Sequence, residues 1–336
     1  MTLTAPPRRW LASILALGVA VTLLASPSGA AAEPGEAGNA QLINNLEAAA
    51  RGYVEAQDAL ETSQAKQAQL AAELTKVNKE LVPLRKEVGV MAATAYTNGR
   101  LNAIGAMLSS TSSDSFLTRA TMLEEMTYRE NEALHRLTRL ESKAKADKAA
   151  IDAEAQVQRA QAAEMKKRVA ALELTLSKSG GSHAATGWLK IPAPKAIPAR
   201  RNSDGSLPRE SCSVKDPTGT GGCITPRTDH AYDEARRVGF KWFTKCWRTQ
   251  SWGEHPKGRA CDFSSSPGGF AGAATGQNRI YGDKLAAFFI QNAKALGVLY
   301  VIWYRYIWVP GVGWHRYSGC CGAAAEHMNH VHLSMY

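Results

Sequence analysis

From Leu42 to Ser177 apolar residues recur in a heptad pattern, and few folds accommodate a pattern of that period. In the first stretch the inward positions are Leu42, Leu46, Ala49, Tyr53, Ala56 and Leu60, then Leu70, Leu74, Val77, Leu81, Leu84, Val88, Met91 and Ala95, with breaks at Ser63 and Gln67. The second stretch runs from Phe116, Ala120 and Leu123 to Val169, Leu172 and Leu176, and is interrupted at Thr127, Glu130, Glu141, Lys148 and Gln158. A sustained repeat with charged flanks specifies supercoiled helices. Pro83 is expected to kink the first. Gly99 and the Ser/Thr run before Asp114 punctuate the pattern, and Ser113 or Asp114 can cap the helix that follows. The expectation is an antiparallel coiled-coil hairpin over residues 41–178, with arms ~85–95 Å long at the helical rise. The short segment Leu101–Leu108 forms a lobe at its tip. Its Ile104, Met107 and Leu108 either meet a partner or pack on Phe116 and Leu117.

Composition divides the chain in two. Residues 41–178 hold 19 basic and 18 acidic side chains; residues 185–336 hold 19 and 10, a net of +9. All six cysteines, and every tryptophan except Trp10, lie in the second half. At about 150 residues per domain, 336 residues suggest two domains. This excludes one uniform domain. It also excludes a polytopic membrane protein, because Leu11–Ala25 is the one long apolar run, and it is shorter than the ~20 residues of a spanning helix.

That run follows Arg8-Arg9 and precedes Ala30-Ala31-Ala32, the layout of a secretory signal peptide over residues 1–32, with the Sec and twin-arginine routes both open. Export makes disulfides plausible. The spacing favours Cys212 with Cys223 and Cys246 with Cys261; the pairing of Cys320 and Cys321 is left open.

Residues 179–210 are rich in Gly, Ser and Pro and read as a linker. Residues 211–336 suffice for one small core. Helices are expected over Arg227–Val238 and Gly282–Leu296. Strands are expected over Lys241–Trp247, Ala260–Ser264, Val298–Val309, Trp314–Tyr317 and Asn329–Met335. The whole reads as α+β: a long antiparallel coiled-coil hairpin followed by a small antiparallel-sheet domain.

Two clusters carry chemistry: His255-Pro256-Lys257-Gly258-Arg259-Ala260-Cys261-Asp262, and His327-Met328-Asn329-His330-Val331-His332. On a strand His330 and His332 share a face. Two imidazoles and a carboxylate suit Zn²⁺ with a fourth position open, and disfavour soft copper.

The combined pattern, His-x₆-Asp followed by His-x-x-His-x-His, resembles the zinc peptidases that cut peptidoglycan cross-links: D-Ala-D-Ala carboxypeptidases, the penicillin-insensitive murein endopeptidase and lysostaphin-like enzymes. Gly258 and Ala260 also fit the carboxypeptidase branch, and residues 211–336 resemble a secreted actinobacterial domain of that group. The resemblance implies that His255, Asp262 and His332 bind zinc, that His330 helps hold the water or oxyanion, and that His327 stands at the general-base position. Two positions depart from the pattern. Gly253 replaces the usual Ser or Thr, and Asn329 stands where one branch has a Glu base; Glu254 and Glu326 lack that offset. Residues Ala95–Leu101, Met107–Ser110 and Ser115–Leu117 resemble the coil of secreted cell-wall hydrolases and their activators. That likeness implies a coil that docks onto or restrains a peptidoglycan-cutting machinery.

The leading expectation is therefore a secreted, cell-wall-associated zinc metallopeptidase with peptidoglycan as substrate and a membrane or division-machinery protein as partner of the coil. The charge of the second half suits an anionic wall polymer and not nucleic acid. Two other classes stay open: a non-catalytic wall-binding regulator of another hydrolase, and a structural spacer. Self-association also stays open.

Overall fold

A computed structural model describes residues 40–98, 104–105, 107–178, 191–316 and 322–336. The expected signal peptide over residues 1–32, residues 179–190 of the expected linker, Gly99, Leu101, Cys320 and Cys321 lie outside the described residues.

Two long helices, α1 (Ala40–Asn98) and α2 (Ser113–Lys178), form the expected hairpin. Their antiparallel pairing is legible in the cross-helix contacts. Glu73 meets Lys143, and one heptad further along α1 Glu80 meets Arg136, one heptad back along α2. One polar break in each seam meets the other, the Gln158 amide donating to Gln67 at 3.0 Å, while Ser63 donates to the Glu154 backbone carbonyl. Polar pairs at seam positions stabilise little but oppose slippage of register. α1 continues through Pro83 without interruption. At the distal end Leu108 (77 % exposed) and Leu117 (62 %) do not bury one another.

The C-terminal domain is α+β. A two-stranded ribbon, β1 (Val214–Lys215) and β2 (Cys223–Ile224), precedes α3 (Pro226–Arg237). The Thr225 hydroxyl caps α3 by accepting from the Thr228 amide, and Pro226 occupies the first turn, where its missing N–H costs nothing. Next come β3 (Thr244–Lys245), β4 (Ala260–Ser264), α4 (Gly276–Gln291) and the single turn α5 (Ala293–Leu296). Then follow β5 (Val298–Trp303), β6 (Tyr306–Val309), β7 (Gly313–Arg316) and β8 (His330–Met335). The six-stranded sheet has the order β3-β4-β8-β5-β6-β7, every neighbour antiparallel.

The structure adjusts several expected elements. The anticipated strand Lys241–Trp247 shortens to Thr244–Lys245, and α4 starts at Gly276 instead of Gly282. The apolar run Val298–Val309 divides at Tyr304-Arg305, both left-handed (φ 49° and 71°), which closes a two-residue hairpin of the type that matches strand twist. Non-glycine residues hold this conformation because their amides donate to the Glu326 and His327 carbonyls. Residues 191–210 have no regular structure but lie along the domain: Ala199 N–H donates to the Ala295 carbonyl, and Leu207 N–H donates to Asp58 of α1.

The two faces of the sheet differ. Val331, Leu333 and Met335 of β8, with Val301 and Trp303 of β5, pack against Leu285, Phe288 and Phe289 of α4 and form the main core. On the opposite face Tyr300, Ile302, Ile307 and Val309 receive the base of the coil, where Ile43, Leu46 and Ala50 of α1 join Leu172 and Leu176 of α2. Each leucine, isoleucine or valine so buried contributes about 1.5–3 kcal/mol. The rim is ionic. Glu47 accepts from the Tyr300 hydroxyl and from Lys257, while Arg51 pairs with Glu254.

Burial, and then the nearby charge of Glu254, push the Glu47 carboxyl up to about 7. A carboxyl whose folded-state pKa is raised lends full stability below its unfolded value. That stability drains away as pH climbs through the folded value. We therefore expect the melting temperature of wild type to fall relative to that of Glu47→Gln between pH 5 and pH 8 (about the window of the shift). Paired thermal melts across that range check it; parallel curves would contradict it.

Candidate metal centre

β8, inserted between β4 and β5, assembles the centre. Its register sets Asp262 opposite His332, and His332 opposite Ile302. Alternation along β8 then brings His330 and His332 to the same face, with Ser264 across from His330. His255 arrives from the loop between β3 and β4. That loop turns at Gly258 (φ 68°), where a Cβ would stand 2.6 Å from Cys212 Sγ and 2.7 Å from the Cys223 carbonyl oxygen. Only glycine fits both the backbone angle and the approach to the β1–β2 ribbon. The Gly258 carbonyl accepts from Thr225 N–H at 2.8 Å, which ties the loop to the start of α3.

His255, Asp262 and His332 are buried, and one ligand atom from each lies within 4.8 Å of the others. His255 Nε2 is 3.3 Å from both His332 Nδ1 and Asp262 Oδ2, and His332 Nδ1 is 2.8 Å from Asp262 Oδ1. The outward nitrogens are satisfied elsewhere: His255 Nδ1 by the Cys246 carbonyl, His332 Nε2 by the Ser334 hydroxyl at 2.8 Å. Burial alone would raise the Asp262 pKa. His255, Arg248 and His330 overbalance it and hold the group well below the ordinary carboxylate range. The carboxylate is thus charged, and its cluster of donor atoms is the kind of set a divalent cation takes.

The other two predicted residues stand alongside. The His327 ring lies 4.7 Å from that of His330 and 5.6 Å from that of His332. His327 is wholly buried and adopts φ 51°, and burial, with the neighbouring imidazoles, drives its pKa far down. His330 is lowered to about 4, chiefly by burial. Both imidazoles are therefore neutral near pH 7. Asn329 explains how His330 is oriented. Its amide nitrogen donates to the Ala271 carbonyl, so its Oδ1 must be the acceptor for His330 Nδ1–H at 2.8 Å. His330 consequently presents an acceptor lone pair on Nε2, 3.6 Å from Asp262 Oδ1. Glu254 and Glu326 are engaged elsewhere, Glu254 with Arg259, Lys257 and Arg51 and Glu326 with Arg305.

Three residues at the centre escaped the sequence reading. Arg248 Nη1 bonds Asp262 Oδ2 at 2.5 Å. The Tyr300 ring stacks on His332 at 5.5 Å and 16°. Ser334 was within reach, since it follows His332 by one strand repeat and must share its face. Arg248 has no fixed spacing from Asp262, and Tyr300 enters only through the three-strand register. The two favoured disulfides, Cys212–Cys223 and Cys246–Cys261, are both present.

Fold and site together define an α+β domain with a buried His/Asp cluster competent to hold a metal, carried on a coiled-coil hairpin. Residues 220–328 match a family model described as VldE, C-terminal domain. That match takes in His255, Asp262 and His327 and ends before His330 and His332. No curated protein matches the chain, and no solved structure matches it.

Gly258→Ala is expected to destabilise the domain by about 2–4 kcal/mol, since a clash with backbone adds to positive-φ strain. Urea unfolding followed by tryptophan fluorescence measures this, and a loss under about 1 kcal/mol would mean that the loop relaxes freely.

Proposed function

We propose that the chain is an exported cell-wall protein whose C-terminal domain is a zinc peptidase of peptidoglycan, hydrolysing an amide bond of stem peptides or cross-links. The observation that carries the reading is the buried convergence of His255, Asp262 and His332 within 4.8 Å. The donor set fits the ion: both imidazoles have their outward nitrogen hydrogen-bonded, which leaves Nε2 of His255 and Nδ1 of His332 facing the carboxylate. Zinc at such a site supplies Lewis acidity, polarising a carbonyl and acidifying water.

The chain's own groups supply the rest. Arg248, bonded to Oδ2, helps keep Asp262 charged. Neutral His330, with Nδ1–H committed to Asn329, accepts a hydrogen bond from water at Nε2 and so orients it. His327, packed on both imidazoles of β8, stands beside the site, but its burial makes it the weaker of the two proton acceptors. The two disulfides point to an oxidising compartment, and no helix among the described residues is long and apolar enough to cross a membrane. The basic second half (19 Lys+Arg against 10 Asp+Glu in residues 185–336) suits an anionic wall polymer.

The coil restrains this domain in the reading we favour, because its base lies on the same face of the sheet as the histidines. The exposed apolar side chains of the distal coil, Leu108, Leu117, Met122, Met126 and Tyr128, would receive the membrane or division-machinery partner. That same placement of the base supports a second reading, a domain that binds wall and zinc without cutting.

The test measures bound zinc and peptide release from purified peptidoglycan on the full exported chain with its disulfides intact. Wild type is expected to carry about one zinc, and Asp262→Ala to lose both the metal and the release, the former by more than about 100-fold in affinity. Replacing Leu46 and Leu172 together by alanine weakens the docked base, at about 2–5 kcal/mol per site, and is expected to raise peptide release. Zinc without release in either protein would favour the non-catalytic reading; no zinc would remove the metal from the account altogether.

A further inference from the structure

Behind the ligand cluster one short strip touches two of its three members. Leaving β3, the chain places Cys246 and Arg248 two residues apart. The Cys246 carbonyl accepts from His255 Nδ1, and Arg248 holds Oδ2 of Asp262. The strip is covalently fastened to β4 through Cys246–Cys261, and Cys261 immediately precedes Asp262. Both cysteines are fully buried. The bond therefore joins the backbone that orients one ligand to the backbone that carries another.

The tether matters because it is the one covalent link between the strip and the sheet among the described residues, beside the Arg248–Asp262 pair. β3 contributes the pairs Thr244 with Phe263 and Lys245 with Asp262, and Phe243 just before it accepts from Ser264 N–H. Beyond it, Cys246 N–H donates to the Thr218 hydroxyl and Trp247 N–H to Asp216, both in the β1–β2 turn and not in the sheet. An imidazole that donates from Nδ1 keeps its lone pair on Nε2, the nitrogen that faces Asp262 and His332. If the Cys246 carbonyl drifts, Nδ1 loses the acceptor that fixes this tautomer, and the ligand atom on Nε2 is less firmly preset.

We propose that the Cys246 carbonyl, fixed by the Cys246–Cys261 disulfide, is the positioning element of the metal centre, so that metal retention depends on this one bond being oxidised. The inference rests on the zinc reading above. Opening the bond does not create a replacement ligand at the site. Cys261 alternates with Asp262 on β4 and faces the helix-packed core with Phe263.

The probe is Co²⁺, whose visible absorption reports its coordination, titrated against a chelator with the full-length oxidised protein. The double variant Cys246→Ala/Cys261→Ala is expected to bind Co²⁺ about 10–100-fold more weakly than wild type, and Cys212→Ala/Cys223→Ala to stay within about threefold. Equal losses in both pairs, or none in the first, overturn the inference while leaving the metal centre standing. Absence of Co²⁺ binding by oxidised wild type overturns the zinc reading and this inference with it. Should the first variant fail to fold, cobalt-loaded wild type is treated with a water-soluble trialkylphosphine. The S–S bond breaks, phosphorus takes the oxygen of water to become the phosphine oxide, and the two protons of that water end on the two thiols. Cobalt bands that fade as alkylation detects free Cys246 and Cys261, ahead of any change in far-ultraviolet circular dichroism, support the proposal; bands that persist in folded protein whose Cys246 and Cys261 are alkylated refute it.

Discussion

The centre depends on a single register: β8 between β4 and β5, with Asp262, His332 and Ile302 in one row across three strands. A slip of one residue in β8 would send His330 and His332 into the helix-packed core and turn Val331 and Leu333 toward the coil. The alternation of β8 opposes that slip. Its odd-numbered residues are the apolar side chains that the core of α4 requires, and its even-numbered ones are His330, His332 and Ser334. The hydrophobic effect on one face of the sheet thus positions the polar chemistry of the other.

That other face is divided between two tenants. The β4–β8 part carries the histidines and Asp262; the β5–β6 part carries Tyr300, Ile302, Ile307 and Val309, covered by the coil base. Tyr300 stands at the boundary. Its ring stacks on His332 and its hydroxyl reaches Glu47 of α1, so one side chain touches both a candidate ligand and the coil. Glu254 makes a similar link, bonded to Arg51 of α1 and adjacent in sequence to His255. Coil and site are therefore mechanically continuous through two residues.

Much of this was legible in the amino-acid sequence where the determinants are local or periodic. The heptads specified two long helices and their antiparallel return, and even the polar breaks made sense once Gln67 and Gln158 were seen to meet. Ala260–Ser264 matched its strand to the residue. The shared face of His330 and His332 followed from strand periodicity. What failed was non-local. Lys241–Trp247 has strand-like residues but lies at the sheet edge, where the disulfide and Asp216 pull the chain away after two paired residues. The division at Tyr304-Arg305 depends on carbonyls of the distant segment around Glu326. Arg248 and Tyr300 join the centre only through tertiary placement, which no spacing encodes.

The order of strands also has a kinetic side. β3–β4 is a local pair, and β5, β6 and β7 form a local meander. β8 joins these two halves, and its pairing with β4 spans most of the domain. Contacts so distant in sequence form slowly, because the loop between them must close first. Asp262 belongs to one half, His332 to the joining strand. A partly folded chain, even with Cys246–Cys261 already oxidised, thus holds no complete donor cluster, and the centre comes into being in the same event that closes the sheet.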